Sequence, residues 1–181
     1  MPREVNQKVL AAVLFAQTKH REHFRTYTYE PYFVHLEEVA RILERYDAPD
    51  EVVMAAYLHD TIEDTDTTRE DLEREFGSYI AQLVWEVTDQ SIFLPEPRPN
   101  RKVRKAMDRD WNANASYWGQ SIKYGDMISN TESIVTHDKN FARVYLKEKG
   151  ALLDIMTGGH LDLRAECLET YQKALEMMVN A

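Results

Sequence analysis

Apolar residues recur at three- and four-residue steps from Val5 to about Lys19, through Val9, Ala12, Val13 and Ala16, which predicts an amphipathic helix. A loop from His20 to Glu30 follows. Pro31 suits the first turn of the next helix, whose buried stripe is Leu36, Val39, Ala40 and Leu43. After Asp47-Ala48-Pro49-Asp50, the run Val52-Val53-Met54-Ala55-Ala56 marks a buried central helix that continues through His59 toward Asp64. Thr67 and Glu70 then read as a T-x-x-E capping box for a helix ending at Phe76-Gly77, with Gly77 as its stop. A further helix from Ser78 to about Val87 carries Ile80, Leu83, Val84 and Val87 on one side. Pro95, Pro97 and Pro99 forbid a helix between Ser91 and Asn100 and mark an exposed loop. Two or three helices cover Ser116 to Met156, and Leu161 to Met178 forms the last. No useful alternating strand pattern and no repeat occurs, so the expected architecture is all-α.

The central stretch also carries the chemistry. His59, Asp60, Glu63 and Asp64 put four metal- or proton-handling groups into six residues. At helical spacing His59 and Glu63 lie one turn apart, with Asp60 and Asp64 in the neighbouring file. Ionisable groups directly after an apolar run need partners, and a transition-ion site mixes imidazole with carboxylate. By residue type, His35 and Asp126 are the candidates. The loop residues Arg21, His23, Arg25, Tyr27 and Tyr29 mix cations with rings, a composition that suits gripping a base and phosphates or coating a surface.

Length and charge narrow the classes. The 181 residues suit one domain with a sizeable core and are short for two. With 22 Lys+Arg against 31 Asp+Glu, the net charge of −9 opposes a broad grip on a phosphate backbone, which argues against nucleic acid. A small polyanion remains suitable where cations gather, and Arg101, Lys102, Arg104 and Lys105 concentrate positive charge directly after the proline-rich loop. The single Cys167 excludes an internal disulfide and fits a reducing interior. The first residues, Met1 to Gln7, do not read as a signal peptide, and no apolar run approaches bilayer-spanning length, so a cytoplasmic protein without membrane attachment is expected.

The order His35, then His59-Asp60, then Asp126 resembles that of the HD-domain metal-dependent phosphohydrolases. Pro31-Tyr32, Leu58-His59-Asp60 with Glu63-Asp64-Thr65, Phe76-Gly77, Val87-Thr88-Asp89, and Ile122-Lys123 through Asp126 to Asn130 make the chain similar to the alarmone hydrolase domain of the RelA/SpoT proteins. The likeness is greatest to its stand-alone small alarmone hydrolases, which include the metazoan SpoT homologue, and runs from about residue 5 to residue 175.

That resemblance implies a compact helical HD-domain bundle over residues 1–181, with no room for the synthetase domain of the full-length proteins. It implies removal of pyrophosphate from the ribose 3′ position of guanosine tetraphosphate or pentaphosphate. The implied ligands are His35, His59, Asp60 and Asp126, with manganese as the ion; the ligand set by itself would also suit iron, cobalt or zinc. Glu63 and Asp64 resemble the family's catalytic acidic pair. Arg25, Tyr32, Arg101, Lys102, Arg104, Lys105 and Asn130 are the implied substrate contacts. An alarmone synthetase as partner and a homo-oligomer fit the same resemblance. The chain departs from the family pattern at Leu36 after the first ligand histidine, at Tyr124-Gly125, and at Met127, Ile128 and Ser129. These lie in the substrate-facing frame, so two further readings stand beside the first: the same chemistry on another nucleotide such as NADPH or a deoxynucleotide, and a non-catalytic nucleotide-binding or antitoxin-like protein.

Overall fold

The computed structural model describes residues 6–179, so the expected helix start at Val5 and most of the N-terminal segment lie outside the described residues. The described residues form helices joined by loops, with no named strand among them; one isolated antiparallel bridge joins Phe24 to Pro31. No described helix is long and apolar enough to cross a membrane. The chain divides after Trp85 into two compact units.

The first unit contains α1 (Gln7–Lys19), α2 (Phe33–Arg45), α3 (Asp50–Leu58), α4 (Thr61–Asp64) and α5 (Arg69–Phe76), followed by most of α6 (Ser78–Val87). Both α1 and α2 pack on α3. Every α3 residue from Val52 to Leu58 is buried, the signature of a helix enclosed on all sides. Ala12 and Ala16 let α1 approach closely, while Leu36, Val39, Ala40 and Leu43 fill the other side. Each fully buried aliphatic side chain of this kind contributes roughly 2 kcal/mol.

Three local expectations change. Pro31 precedes α2, with Tyr32 as the N-cap. The capping box is Thr68 with Asp71: the Thr68 hydroxyl accepts from Asp71 N–H at 3.1 Å, and Asp71 accepts from Thr68 N–H at 3.0 Å. Thr67 is buried instead, its N–H donating to the Thr65 hydroxyl. The central helix also breaks: α3 ends at Leu58, and His59 and Asp60 form the turn before α4. Gly77 stops α5 with φ +91°, where a side chain would be strained.

The second unit holds a 3-10 turn (Gln90–Phe93), α7 (Arg101–Ala113), α8 (Tyr117–His137), α9 (Lys139–Ile155) and α10 (Leu161–Val179). Helix α8 packs against α7, α9 and α10 and is buried without interruption from Gly119 to Met127. The expected exposed loop begins later than Ser91, which is buried because its N–H and hydroxyl both donate to Asp108, each at 2.8 Å.

Candidate metal centre and phosphate pocket

The break between α3 and α4 builds the first site. Asp60 adopts φ −97° and ψ 0°, the sparsely populated bridge region where active-site residues collect. The turn is pinned by the Thr61 hydroxyl donating to Leu58 O at 2.7 Å and by Asp64 N–H donating to Asp60 O at 3.0 Å. His59 is buried, and its Nδ1 lies 2.8 Å from Ala56 O. A carbonyl only accepts, so Nδ1 carries the proton, and a neutral His59 presents the lone pair of Nε2. That atom lies 3.1 Å from Asp60 Oδ2, and buried His35 brings its own Nε2 within 3.6 Å of the same oxygen.

A nitrogen lone pair facing a carboxylate oxygen at this distance is repulsive unless positive charge intervenes. A proton would serve, and so would a metal. With metal–ligand bonds of about 2.0–2.2 Å, neighbouring donors stand about 3 Å apart, the spacing found here. The Nδ1 bond to a backbone carbonyl is likewise what orients a ligating imidazole. The buried donors His35, His59 and Asp126 are of a kind that suits a divalent metal ion.

Further rings surround Asp60. The Tyr32 hydroxyl donates to Asp60 Oδ2 at 2.6 Å, and its ring stacks on His20 with centroids 5.1 Å apart. His20 is buried and pairs with His23 through their Nδ1 atoms at 3.1 Å. Burial, partly opposed by the Asp60 charge, pushes the His20 imidazole down to about 4. The Asp64 carboxyl is pushed the other way: loss of surrounding water, then the negative charge of Asp60, raises it to about 6. Solvent still reaches Asp64, so this shift bears on its proton and not on stability. Asp64 lines an open pocket of about 450 Å³ with Glu22, His23, Phe24 and Tyr32.

The second unit carries the remaining candidates. Both Asp126 oxygens are held: Asn130 Nδ2 donates to Oδ1 at 2.6 Å, and Lys123 Nζ lies 3.5 Å from Oδ2. Buried Lys123 also donates to Val87 O at 3.2 Å. A pocket of about 260 Å³ is lined by five cationic side chains, Arg101, Lys105, Arg109, Lys123 and Lys149, against three acidic ones, Asp89, Asp108 and Glu148. Arg101 donates from Nε and Nη2 to the two oxygens of Glu148, each at 2.8 Å, and lies over the Phe141 ring. Burial works to lower Lys105, but the charge and hydrogen bond of Asp89 hold it above its ordinary value. Burial pushes the Lys149 ammonium down.

The structure gathers His35, His59, Asp60 and Tyr32 around one carboxylate oxygen. Glu63 and Asp64 sit on α4 directly after it. Arg25, its side chain 10% exposed, faces Glu38 at 3.4 Å. Of the basic cluster, Arg101 and Lys105 line the pocket, four residues apart on one face of α7. Arg104 turns away to donate to Pro99 O at 3.0 Å, and Lys102 is exposed. Asn130 lines the pocket while bonding Asp126. Sequence reasoning passed over His20, Lys123, Lys149 and Glu148. Only Lys123, a lysine in the buried stretch of α8, left a usable signal.

Comparison with known proteins shows the family. The HD-domain family profile matches residues 12–109. Guanosine-3′,5′-bis(diphosphate) 3′-pyrophosphohydrolase MESH1 from Danio rerio is 36% identical over 129 residues, 70% of this chain and 68% of its own length. The Homo sapiens protein of that name is 37% identical over 130 residues, covering 70% and 69%. A solved metazoan SpoT orthologue, described as hydrolysing ppGpp, superposes with a TM-score of 0.83 at 27% identity, covering 94% of this chain and 97% of that one. A Listeria monocytogenes structure, at TM-score 0.64 and 24% identity over 80% of this chain and 98% of its own, shares the fold. An all-α chain that matches such proteins in both sequence and fold belongs to the HD-domain family, among relatives named as ppGpp hydrolases.

Proposed function

We propose that the protein is a metal-dependent phosphohydrolase that removes the 3′-pyrophosphate of guanosine tetraphosphate or pentaphosphate, giving GDP or GTP and pyrophosphate. The observation that carries the reading is the meeting of two imidazole Nε2 atoms and the Tyr32 hydroxyl at Asp60 Oδ2, in a chain whose relatives are named for this reaction. His35, His59, Asp60 and Asp126 would hold the ion, with manganese the preferred occupant. The chemistry such an ion supplies when bound is Lewis acidity, which brings the pKa of water from about 16 toward 7.

The chain's own residues do the rest. Tyr32 keeps the Asp60 carboxylate oriented by its short hydrogen bond. Asp64, raised to about 6, holds or yields a proton close to neutral pH, and Glu63 beside it orients the attacking water. Arg101 and Lys105 bring fixed positive charge to the phosphate oxygens, and Arg25 serves the nucleoside. This reading treats the chain as one working domain in the cytoplasm. There it would consume the product of an alarmone synthetase.

The test is incubation of manganese-loaded protein with ppGpp, NADPH and a deoxynucleoside triphosphate, separated by chromatography. GDP and pyrophosphate are expected from ppGpp. Glu63→Gln should lower turnover by about 10²-fold while retaining metal by elemental analysis. Intact ppGpp beside a hydrolysed alternative would replace the substrate. No turnover of any nucleotide would favour the binding-protein reading.

A further inference from the structure

The cations of the second-unit pocket are held in different ways. Lys105 is shared between Asp89 and Asp108, at 2.5 and 3.5 Å, and Lys123 lies against Asp126. Arg101 has its planar fork filled by the two oxygens of one carboxylate, that of Glu148. This pair stands at the solvent side, with side chains 44% and 22% exposed, whereas Lys123 and Asp126 are under a tenth exposed.

A carboxylate and a phosphate present the same two-oxygen edge to a guanidinium, so the Glu148 carboxylate stands where a phosphate edge would bind. The pair bridges α7 and α9 across 47 residues of chain, and the guanidinium carbon lies 5.5 Å from the centre of the Phe141 ring. Partly exposed pairs are weak enough to be broken by a ligand of higher charge, and Glu148 has solvent beside it to turn into.

We propose that Glu148 is a built-in competitor for Arg101: it must leave the guanidinium when pyrophosphate enters the pocket, and it drives pyrophosphate out when it returns. This rests on the reading that the pocket takes the substrate's pyrophosphate group. Glu148 thereby sets how tightly the product is held. It limits the residence of a highly charged leaving group among five cations.

The test is a calorimetric titration of inorganic pyrophosphate into the full chain, kept free of manganese so that the probe is not chelated. Four proteins are compared: wild type, Glu148→Gln, Arg101→Ala and the double variant, each checked for an unchanged melting temperature. Glu148→Gln should bind pyrophosphate about fivefold more tightly, the scale expected for freeing a partly exposed charge pair. Arg101→Ala should bind more weakly. In the Arg101→Ala background, Glu148→Gln should regain much less than fivefold, because only the through-space effect of one negative charge remains. Weaker binding in Arg101→Ala with unchanged or weaker binding in Glu148→Gln would overturn the proposal, making Glu148 a support for Arg101. An equal gain in both backgrounds would also overturn it, as a general charge effect. Unchanged binding in Arg101→Ala would overturn the pocket reading and the proposal together.

Discussion

At the scale of single residues, the first unit is governed by where protons are not. His59 gives its Nδ1 proton to a backbone carbonyl, which leaves its Nε2 lone pair for whatever cation joins it to Asp60. His20, buried and pushed down to about 4, stays neutral in the folded protein at pH values where an unfolded histidine, near 6.5, is charged. The sign follows from linkage: with the folded value depressed, the stabilising contribution is complete above about 6.5 and is lost as pH falls toward 4. Chelator-treated protein should therefore lose on the order of 2 kcal/mol through His20 between about pH 7.5 and pH 5. Urea unfolding of wild type and His20→Gln at both pH values measures this, as a stability gap that shrinks by that amount in acid. Parallel pH dependences would mean that His20 carries a proton in the folded state.

At the scale of elements, the helix ends decide where chemistry sits. A single helix through Asp64 would have placed His59 and Glu63 in one file. The break after Leu58 instead frees His59 and Asp60 to share a turn, and restarts the chain at Thr61 with the acidic pair behind it. Helix α5 begins one residue later than the T-x-x-E pattern suggests, because Asp71 serves as well as a glutamate in returning the bond to the cap. Thr68→Ala should accordingly cost about 1 kcal/mol in denaturant unfolding, while Glu70→Ala should leave stability within a few tenths. The reverse result would move the cap to Thr67.

At the scale of the whole molecule, an acidic chain must gather its cations to handle a polyanion. The net charge is −9, yet five lysine and arginine side chains line one pocket of the second unit. That arrangement favours small, highly charged ligands over extended phosphate backbones. Metal should stabilise the fold by mass action. At about 100 times its dissociation constant the gain is about 2.7 kcal/mol, which for a chain of this size raises the melting temperature by roughly 5–10 °C. Melting curves of chelated protein with and without added manganese measure this; His59→Ala should not respond. An unshifted wild type would mean that the folded chain holds no ion.

The sequence by itself determined the all-α class and nearly every helix, and it marked the residue types of the candidate metal centre, because apolar periodicity and the order of donors are written along the chain. The helix from Ser78 to about Val87 was legible, since Gly77 stops the helix before it and a four-residue apolar file runs through it. The tertiary structure alone decided that Tyr32 and two imidazoles meet at one oxygen of Asp60, that Lys123 and Asn130 hold opposite oxygens of Asp126, and that Arg104 faces its own loop while Arg101 takes Glu148. Periodicity states which face of a helix is apolar, but it carries no information about which polar side chain of another helix will stand opposite. That pairing is set by how the apolar faces interlock, and the charges at the rims take the partners that packing brings within reach.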